Sequence, residues 1–324
     1  METQFAEISI KGKFRTVPAL RLDGHIIVAD GGWLRIATIH DEHWQAAEVE
    51  NPEAILAKLG ERSLKADLFT FAQKLPHTEP RFHYALEWDN VAAVPITTYA
   101  DWWEKRLPQE TRKNVRRSIK RGVTTQAVML DDAVALGLKK IYDESPIRQG
   151  RKFWHYGKDV ATVKRENSSY LGSSAFIGAY FEGELIGLLK MVFVGKTASI
   201  MQIISANKHY DKRPPNALLA KAVETCVEKG MAYFVYGQYV YGNNNDGPLT
   251  EFKRRNGFEQ ILLPRYYVPM TTKGRIAMRL KLHLGLRRLL PRKVETTLQN
   301  WRCRLYEKTL AKQSKNETEP PAES

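Results

Sequence analysis

Residues 144–159 concentrate charged and aromatic side chains that are suited to binding a ligand, in the sequence ESPIRQGRKFWHYGKD. Arginine binds carboxylates and phosphates through two parallel hydrogen bonds, and aromatic faces stack on flat or apolar ligand surfaces. The stretch therefore predicts a binding segment, whose candidate residues are Glu144, Arg148, Arg151, Trp154, His155 and Tyr156. The alternative is a salt-bridged loop that only covers the core. A shorter run with fewer charged and aromatic residues, EWDN at residues 87–90, is interpreted as structural.

The elements that must position this segment follow it along the chain. Alternating and apolar runs predict strands at residues 173–182, 184–194, 197–206, 231–236 and 258–269. Helices are predicted at residues 216–229, where apolar residues recur at three- and four-residue spacing, and at residues 249–256. Asn216 is expected to cap the first of these helices, and Gly230 to end it.

The first hundred residues predict short strands with turns between them. Asp23-Gly24 indicates a hairpin, and Asn51-Pro52 indicates the start of a helix. The run LPQETRKNVRRSIKRG at residues 107–122 predicts a basic helix that ends at Gly122 and bridges two halves of the chain.

Three motifs of the second half, in this order of elements, resemble the FemAB-like branch of the GNAT acyltransferases, which is related to the peptidoglycan aminoacyltransferases. They are PPNALLAKAVETCVEKG, MAYFVYG and LTEFKRRNGF. The resemblance implies an α+β fold, with a GNAT-like mixed sheet flanked by helices and two tandem halves. The implied division is a degenerate first half at 1–99, the bridging helix at 100–122 and the acyltransferase domain at 123–270.

The resemblance also implies a reaction, in which an amine attacks an activated acyl group carried by acyl-CoA or by an aminoacyl-tRNA. The donor would bind at the loop before the predicted helix, through Lys208, Lys212, Arg213 and Asn216. That loop has no glycine, and Pro214 and Pro215 have no N–H group with which to hold a pyrophosphate. This departure favours aminoacyl-tRNA over coenzyme A. The alternative is an ordinary loop whose basic residues are only solvated.

Catalytic candidates lie after the strand at residues 231–236. Lys253 matches the lysine of the family signature, while Tyr239 and Tyr241 match no fixed motif. Val235 replaces the family's usual Asp, which puts the acceptor contacts there in doubt. Each tyrosine has the alternative of being a packed aromatic residue with a bonded hydroxyl group. The binding segment at residues 144–159 would then hold the acceptor, a small-molecule or lipid-linked amine such as an amine of a cell-envelope precursor or an amino sugar.

The net charge of +14 is concentrated in two segments, which predicts an anionic partner. Residues 104–121 hold eight Lys and Arg against two Glu, and residues 271–312 hold twelve against two. In the second segment Val294, Leu298, Trp301 and Leu305 fall on one helical stripe, so a basic amphipathic segment is expected to contact an anionic membrane. Its alternatives are packing on the core and, for RLKLHLGL at residues 279–286, a strand. Residues 313–324 are predicted to be a disordered tail.

Two cysteines and the absence of clustered metal ligands argue against a disulfide scaffold and a metal site. The sequence has neither a signal peptide nor an apolar run of about 20 residues. We therefore expect a cytoplasmic protein, peripheral to the inner face of the membrane. Two other functions stay open: a nucleic-acid-binding protein that uses both basic segments, with tRNA as a partner, and an inactive membrane-associated GNAT scaffold.

Overall fold

The computed structural model describes residues 4–10, 13–22, 24–44, 48–61, 64–148, 151–241, 247–285, 297 and 306. The strands are β1 (Gln4–Ile10), β2 (Lys13–Leu22), β3 (His25–Asp30), β4 (Ile36–Ile39), β5 (Leu68–Ala72), β6 (Ala85–Pro95), β7 (Thr124–Val128), β8 (Ile147–Arg148), β9 (Arg151–Lys152), β10 (Ser174–Phe181), β11 (Glu184–Val194), β12 (Thr197–Ser205), β13 (Tyr233–Val235) and β14 (Glu259–Pro269). The helices are α1 (Pro52–Gly60), α2 (Tyr99–Asp101), α3 (Gln109–Lys120), α4 (Asp132–Tyr142), α5 (Val160–Asn167), α6 (Pro214–Glu228), α7 (Pro248–Arg255) and α8 (Thr272–Arg279).

Twelve of the described strands form one mixed sheet, in the order β1-β2-β3-β4-β5-β14-β6-β13-β12-β11-β10-β7. Two neighbouring pairs in it are parallel, namely β4 with β5 and β12 with β13. A helix joins the strands of each parallel pair, α1 in the first and α6 in the second. The sheet therefore contains the same strand–helix–strand arrangement twice, as expected for an α+β, GNAT-like mixed sheet flanked by helices.

The C-terminal strand β14 lies between two strands from the beginning of the chain. It pairs with β5 on one side and with β6 on the other, and β6 pairs in turn with β13. Tyr266 of β14 is fully buried in the core of the first half, against Phe71 at a ring distance of 5.1 Å. The sheet is thus continuous across residue 99, and the division of the chain into domains stays a prediction.

Several sequence predictions are confirmed. The hairpin at Asp23-Gly24 joins β2 and β3, Asn51 caps α1 through its side chain, and the basic run forms α3. The sequence analysis did not predict β1, β7, β8, β9, α4 or α5, and β13 is shorter than expected. α8 lies within the basic helical segment predicted at residues 271–312.

The expectation that Asn216 caps its helix is wrong. α6 begins at Pro214, and the capping position is Arg213, which has left-handed backbone angles of φ 56° and ψ 42°. Proline fits the first turn of a helix because the N–H groups there have no partner within the helix, so the two prolines move the start forward. Asn216 instead lies inside the first turn and is buried.

The basic C-terminal segment is described at residues 271–285, 297 and 306. The alternative of a strand at residues 279–286 is wrong for residues 279–285, because α8 ends at Arg279 and a 3₁₀ turn spans Leu282–Leu284. The predicted stripe of Val294, Leu298, Trp301 and Leu305 and the predicted tail at residues 313–324 lie outside the described residues.

Candidate functional site

The sheet opens between β12 and β13. The two strands pair at three positions, from Thr197 opposite Tyr233 to Ser199 opposite Val235. Beyond them β12 continues to Ser205 alongside β11. The other strand stays with β6 instead, because the Tyr236 N–H donates to Ala92 O at 2.8 Å and the Ala92 N–H donates to Gly237 O at 2.8 Å. The strands therefore diverge after Ser199.

Lys253 lies beside this opening, fully buried on α7. Its ammonium group donates to the carbonyl oxygen of Gln238 and lies 4.7 Å from the ring centre of Tyr236 and 4.6 Å from that of Tyr241. Burial lowers the pKa of Lys253 to about 8. The lysine therefore fixes the segment after β13, and it can release a proton more readily than an exposed lysine does.

The structure brings Tyr241 to the same place as Lys253. A Cβ atom at Gly237, which has a φ of +56°, would come within 2.7 Å of the Tyr241 hydroxyl oxygen. Burial raises the pKa values of Tyr236 and Tyr241, so both hydroxyl groups stay protonated and can donate hydrogen bonds at neutral pH. Tyr239 contacts α7 through its backbone, because its carbonyl oxygen accepts a hydrogen bond from Thr250 Oγ1 at 3.3 Å.

Asn90 of β6 holds the segment that carries these tyrosines. Its Oδ1 atom accepts from the Val240 N–H at 2.6 Å, and its Nδ2 atom donates to the Val240 carbonyl at 3.4 Å. This contact spans 150 residues of sequence. The interpretation of residues 87–90 as structural agrees with it, and with the ion pair of Asp89 to Arg265.

A cavity of about 220 Å³ lies at the start of α6, between α3 and α7. Its walls are formed by Thr111, Asn114, Tyr210, Arg213, Pro215, Asn216, Pro248, Glu251, Phe252, Arg255 and Asn256. Two of the four predicted donor-binding residues, Arg213 and Asn216, are thus in its wall. The sequence analysis missed the residues of α3 and α7, which meet where Thr111 Oγ1 donates to Arg255 O at 2.6 Å.

The four predicted donor-binding residues differ in how they are held. The Arg213 guanidinium lies 4.8 Å from the ring centre of Tyr210, and its Nε atom is buried without a hydrogen-bond partner among the described groups. Asn216 Nδ2 donates to Asn256 Oδ1 at 3.1 Å. Lys208 pairs with Glu184 at 2.6 Å, and Lys212 lies 4.5 Å from the Phe181 ring centre. Neither lysine lines the cavity.

Glu144 and Arg148, predicted to bind the acceptor, contact the protein backbone. Glu144 Oε2 accepts from the Asn207 N–H at 2.5 Å, at the start of the loop that leads to the cavity. Arg148 donates to Ile141 O at 2.6 Å and to Ser205 O at 3.1 Å. The pair therefore ties the end of α4 to the end of β12, and the guanidinium is largely occupied.

The other four predicted acceptor-binding residues lie in and just after the β8–β9 hairpin. Arg151, Trp154 and Tyr156 are exposed, whereas His155 is buried and stacks on Tyr142 at a ring distance of 4.3 Å. Burial, assisted by the charge of Lys158, lowers the pKa of His155 to about 4, so the ring is neutral at pH 7.

A buried polar cluster that sequence reasoning missed lies beneath this hairpin. His155 Nδ1 lies 3.5 Å from Glu166 Oε2, and Lys158 pairs with the other oxygen of Glu166 at 2.5 Å. Gln202 of β12, in the diverging part of that strand, donates to the Tyr142 hydroxyl at 2.6 Å. The cluster thus joins the hairpin to one arm of the opening.

Neither a metal site nor a membrane-spanning helix is found in the part of the chain that the structure describes. No group of three or more His, Cys, Asp or Glu residues there could hold a metal ion. No helix there is both long enough and apolar enough to cross a bilayer. Cys226 is buried on α6, and burial raises the pKa of its thiol to about 12.

No family model matches the sequence, and no curated protein matches it either. Solved structures do resemble the fold. The C-terminal domain of a putative lysylphosphatidylglycerol synthetase from Agrobacterium fabrum is 13% identical, with a TM-score of 0.54 over 82% of this chain and 88% of that one. FemX is 10% identical, with a TM-score of 0.54 over 86% and 90% of the two chains. L-PGS from Bacillus licheniformis is 16% identical, with a TM-score of 0.52 over 82% and 86%.

These likenesses concern the fold alone, because the identities are low. The chain has the mixed α+β fold of these three structures, FemX among them, as the resemblance to the FemAB-like branch implied.

Proposed function

We propose that this chain transfers an acyl or aminoacyl group to an amine in the opening between β12 and β13. The observation that carries the proposal is that opening itself. β12 leaves β13 after three paired positions, and polar side chains line both sides: Gln202 on one arm, Tyr241 and Lys253 on the other. Similar structures include a putative lysylphosphatidylglycerol synthetase and FemX, which supports a transferase of this class.

In the proposed reaction the neutral amine attacks the acyl carbon, a C–N bond forms, and the bond to coenzyme A sulfur or to tRNA oxygen breaks. The amine proton leaves for a base or for water, and the departing group takes up a proton. Tyr241, whose hydroxyl group stays protonated, donates to the oxyanion that develops, with Tyr239 on the same segment. Lys253 holds that segment through Gln238 O.

The donor binds in the cavity at the start of α6. Arg213 has an unpaired Nε atom in this wall, and Asn216 and Asn256 offer amide groups beside it. Lys208 and Lys212 already have partners, so we assign them less of the donor affinity. Acyl-CoA and aminoacyl-tRNA both remain candidates for the donor.

The acceptor binds on the surface formed by Arg151, Trp154 and Tyr156, above His155. Glu144 and Arg148 act there by positioning the hairpin and the end of β12. We propose a small-molecule or lipid-linked amine of the cell envelope as the acceptor, and peripheral attachment to the inner face of the membrane. The basic segment at residues 271–312 supports such attachment by its charge.

Donor binding tests this proposal. Purified protein is titrated with acetyl-CoA and with aminoacyl-tRNA, and bound small molecules are identified by mass spectrometry. For whichever donor binds, Arg213→Ala should weaken the affinity more than tenfold, and Lys208→Ala should leave it within twofold. If neither donor binds, or if both variants bind as the unaltered chain does, the donor site is not at this cavity.

A second candidate function, nucleic-acid binding without transfer, is favoured by the outer face of α3. Lys113, Arg116, Arg117 and Lys120 are exposed there, and no carboxylate pairs with any of them in the described part of the chain. A tRNA donor would use the same face. RNA binding that persists in Tyr241→Phe and Lys253→Met, with no acyl transfer in any variant, would favour the binding protein.

A further inference from the structure

Three large apolar side chains are exposed around α8, where a water-soluble surface would normally carry polar groups. Trp33 is 63% exposed, Ile276 is 50% exposed and Leu280 is 60% exposed. Ile276 and Leu280 are four residues apart on the helix and its end, so they share a face. Trp33 reaches the same place from the turn before β4, because its ring centre lies 5.9 Å from the Lys273 ammonium group.

The helix that carries this patch is held firmly from below. A Cβ atom at Gly274 would come within 2.0 Å of the Asp67 carbonyl oxygen, so only glycine permits this close approach. Thr271 Oγ1 accepts from the Gly274 N–H at 3.0 Å and donates to Asp67 Oδ1 at 2.9 Å. Lys273 pairs with Asp67 at 2.9 Å and donates to Trp33 O at 2.8 Å. The exposed side chains therefore project from a rigid base.

Cations surround the apolar patch. Arg275 and Arg279 are exposed on α8, and Lys281 is exposed just after it. Neither arginine pairs with a carboxylate among the residues that the structure describes; Arg275 donates to Thr272 Oγ1 at 3.0 Å. Tryptophan and aliphatic residues ringed by Arg and Lys are the composition of a surface that lies in the headgroup region of an anionic bilayer.

We infer that Trp33, Ile276, Leu280, Arg275 and Arg279 form a docking surface for an anionic lipid membrane. The apolar side chains enter the boundary between headgroups and acyl chains, and the arginines bind lipid phosphates. This inference rests on the peripheral attachment proposed above, but it does not require acyl transfer. It narrows the attachment proposed for residues 271–312 to α8 and adds Trp33, which belongs to the first half of the fold.

Flotation with lipid vesicles tests the inference on the full chain without any donor. Vesicles of equal parts phosphatidylglycerol and phosphatidylcholine are compared with phosphatidylcholine alone, at low and high salt. We expect binding to the anionic vesicles only, weakened by salt. The variant Trp33→Ser, Ile276→Ser, Leu280→Ser should bind at least tenfold more weakly, and Arg275→Ser with Arg279→Ser should reduce binding at low salt.

Two controls make the result specific. Ile119→Ser with Met129→Ser removes exposed apolar side chains far from α8 and should bind as the unaltered chain does. Trp301→Ser tests the C-terminal segment and should also retain binding. Brominated lipids should quench the fluorescence of the unaltered chain more than that of Trp33→Phe. Loss of binding in Trp301→Ser alone, equal binding to neutral vesicles, or binding only to a single-stranded RNA probe would each overturn the inference.

Discussion

The sheet contains two junctions at which neighbouring strands run parallel, β4–β5 and β12–β13. They have the same topology but differ in whether their charged side chains pair with one another. At the β4–β5 junction, Glu42 reaches across: one of its carboxylate oxygens accepts from the Ala72 N–H at 2.8 Å, and the other pairs with Arg265 at 2.8 Å. Arg265 also pairs with Asp89 at 2.5 Å. At the β12–β13 junction no such ionic seal is present among the described residues.

This difference distinguishes a junction whose polar groups only stabilise the fold from one whose polar groups can bind a substrate. At the first junction, oppositely charged side chains form ion pairs across the strands, and burial strengthens these pairs. At the second, no described carboxylate pairs with the buried Lys253, Gln202 makes a single contact with Tyr142, and Tyr241 is half-exposed. Groups that the fold does not saturate remain available to a substrate.

Removing the ion cluster of Glu42, Arg265 and Asp89 should have the largest effect on the unfolding free energy. Arg265→Ala leaves the largely buried Glu42 and the partly buried Asp89 without their cation, and we expect a loss of about 3–5 kcal/mol in unfolding free energy. Urea unfolding measures it. Lys105→Ala, which removes an exposed pair with Asp101, serves as the control and should cost less than about 1 kcal/mol. A similar small loss in both variants would show that the junction is not held by this ion cluster.

The buried lysine of the open junction should give stability a pH dependence that the sealed junction lacks. Burial lowers the pKa of Lys253 from 10.5 to about 8. Below pH 8 both the folded and unfolded states keep the proton. Between about pH 8 and 10.5 the folded state has released it and the unfolded state has not, so stability rises with pH.

Lys253→Met removes this term, and comparison with it isolates the lysine. Between pH 7.5 and 9.5 the unaltered chain should gain about 1–2 kcal/mol of unfolding free energy relative to the variant. Chemical unfolding at the two pH values measures the difference. Arg265 should show no such slope: burial alone would lower its pKa, but Glu42 and Asp89 outweigh burial and raise it. A difference that is flat or falls with pH would contradict the assignment of Lys253.

The smallest effect is expected at the edge of the open junction. Lys208 pairs with Glu184 on the surface, so Lys208→Ala should change the unfolding free energy by less than about 1 kcal/mol. Thermal unfolding measures the change. A larger loss would mean that this pair fixes the loop before α6, and Lys208 would then belong to the site.

The sequence predicted the elements whose signals are local. The apolar spacing of Leu218, Ala222 and Cys226 indicates α6, and all three are buried. α4 was missed although a local signal exists: Asp131 caps it, and Val134, Leu138 and Ile141 recur at helical spacing. α4 follows β7, and that strand is largely exposed and shows no clear alternation of apolar and polar residues.

The site itself depends on contacts that no local pattern encodes. Arg213 and Asn216 could be selected as candidates because they lie in the loop and helix of one motif, whereas Glu166 and Gln202 meet His155 and Tyr142 only after folding. Glu144 and Arg148 were selected as acceptor-binding candidates from composition alone. Their backbone partners, Asn207 and Ser205, are about sixty residues away, and so their inward orientation could not be read from composition.

The position of β14 sets the order in which the protein can be completed during synthesis. β5 is made by residue 72, but its neighbour β14 is not finished until residue 269. At about 5–20 residues per second, the ribosome takes on the order of 10–40 s to cover that distance. Throughout that interval the nascent first half lacks Tyr266 in its core and presents an unpaired strand edge. The first half therefore cannot complete its fold until β14 has been synthesised. Until then its open strand edge must be kept from pairing with strands of other chains.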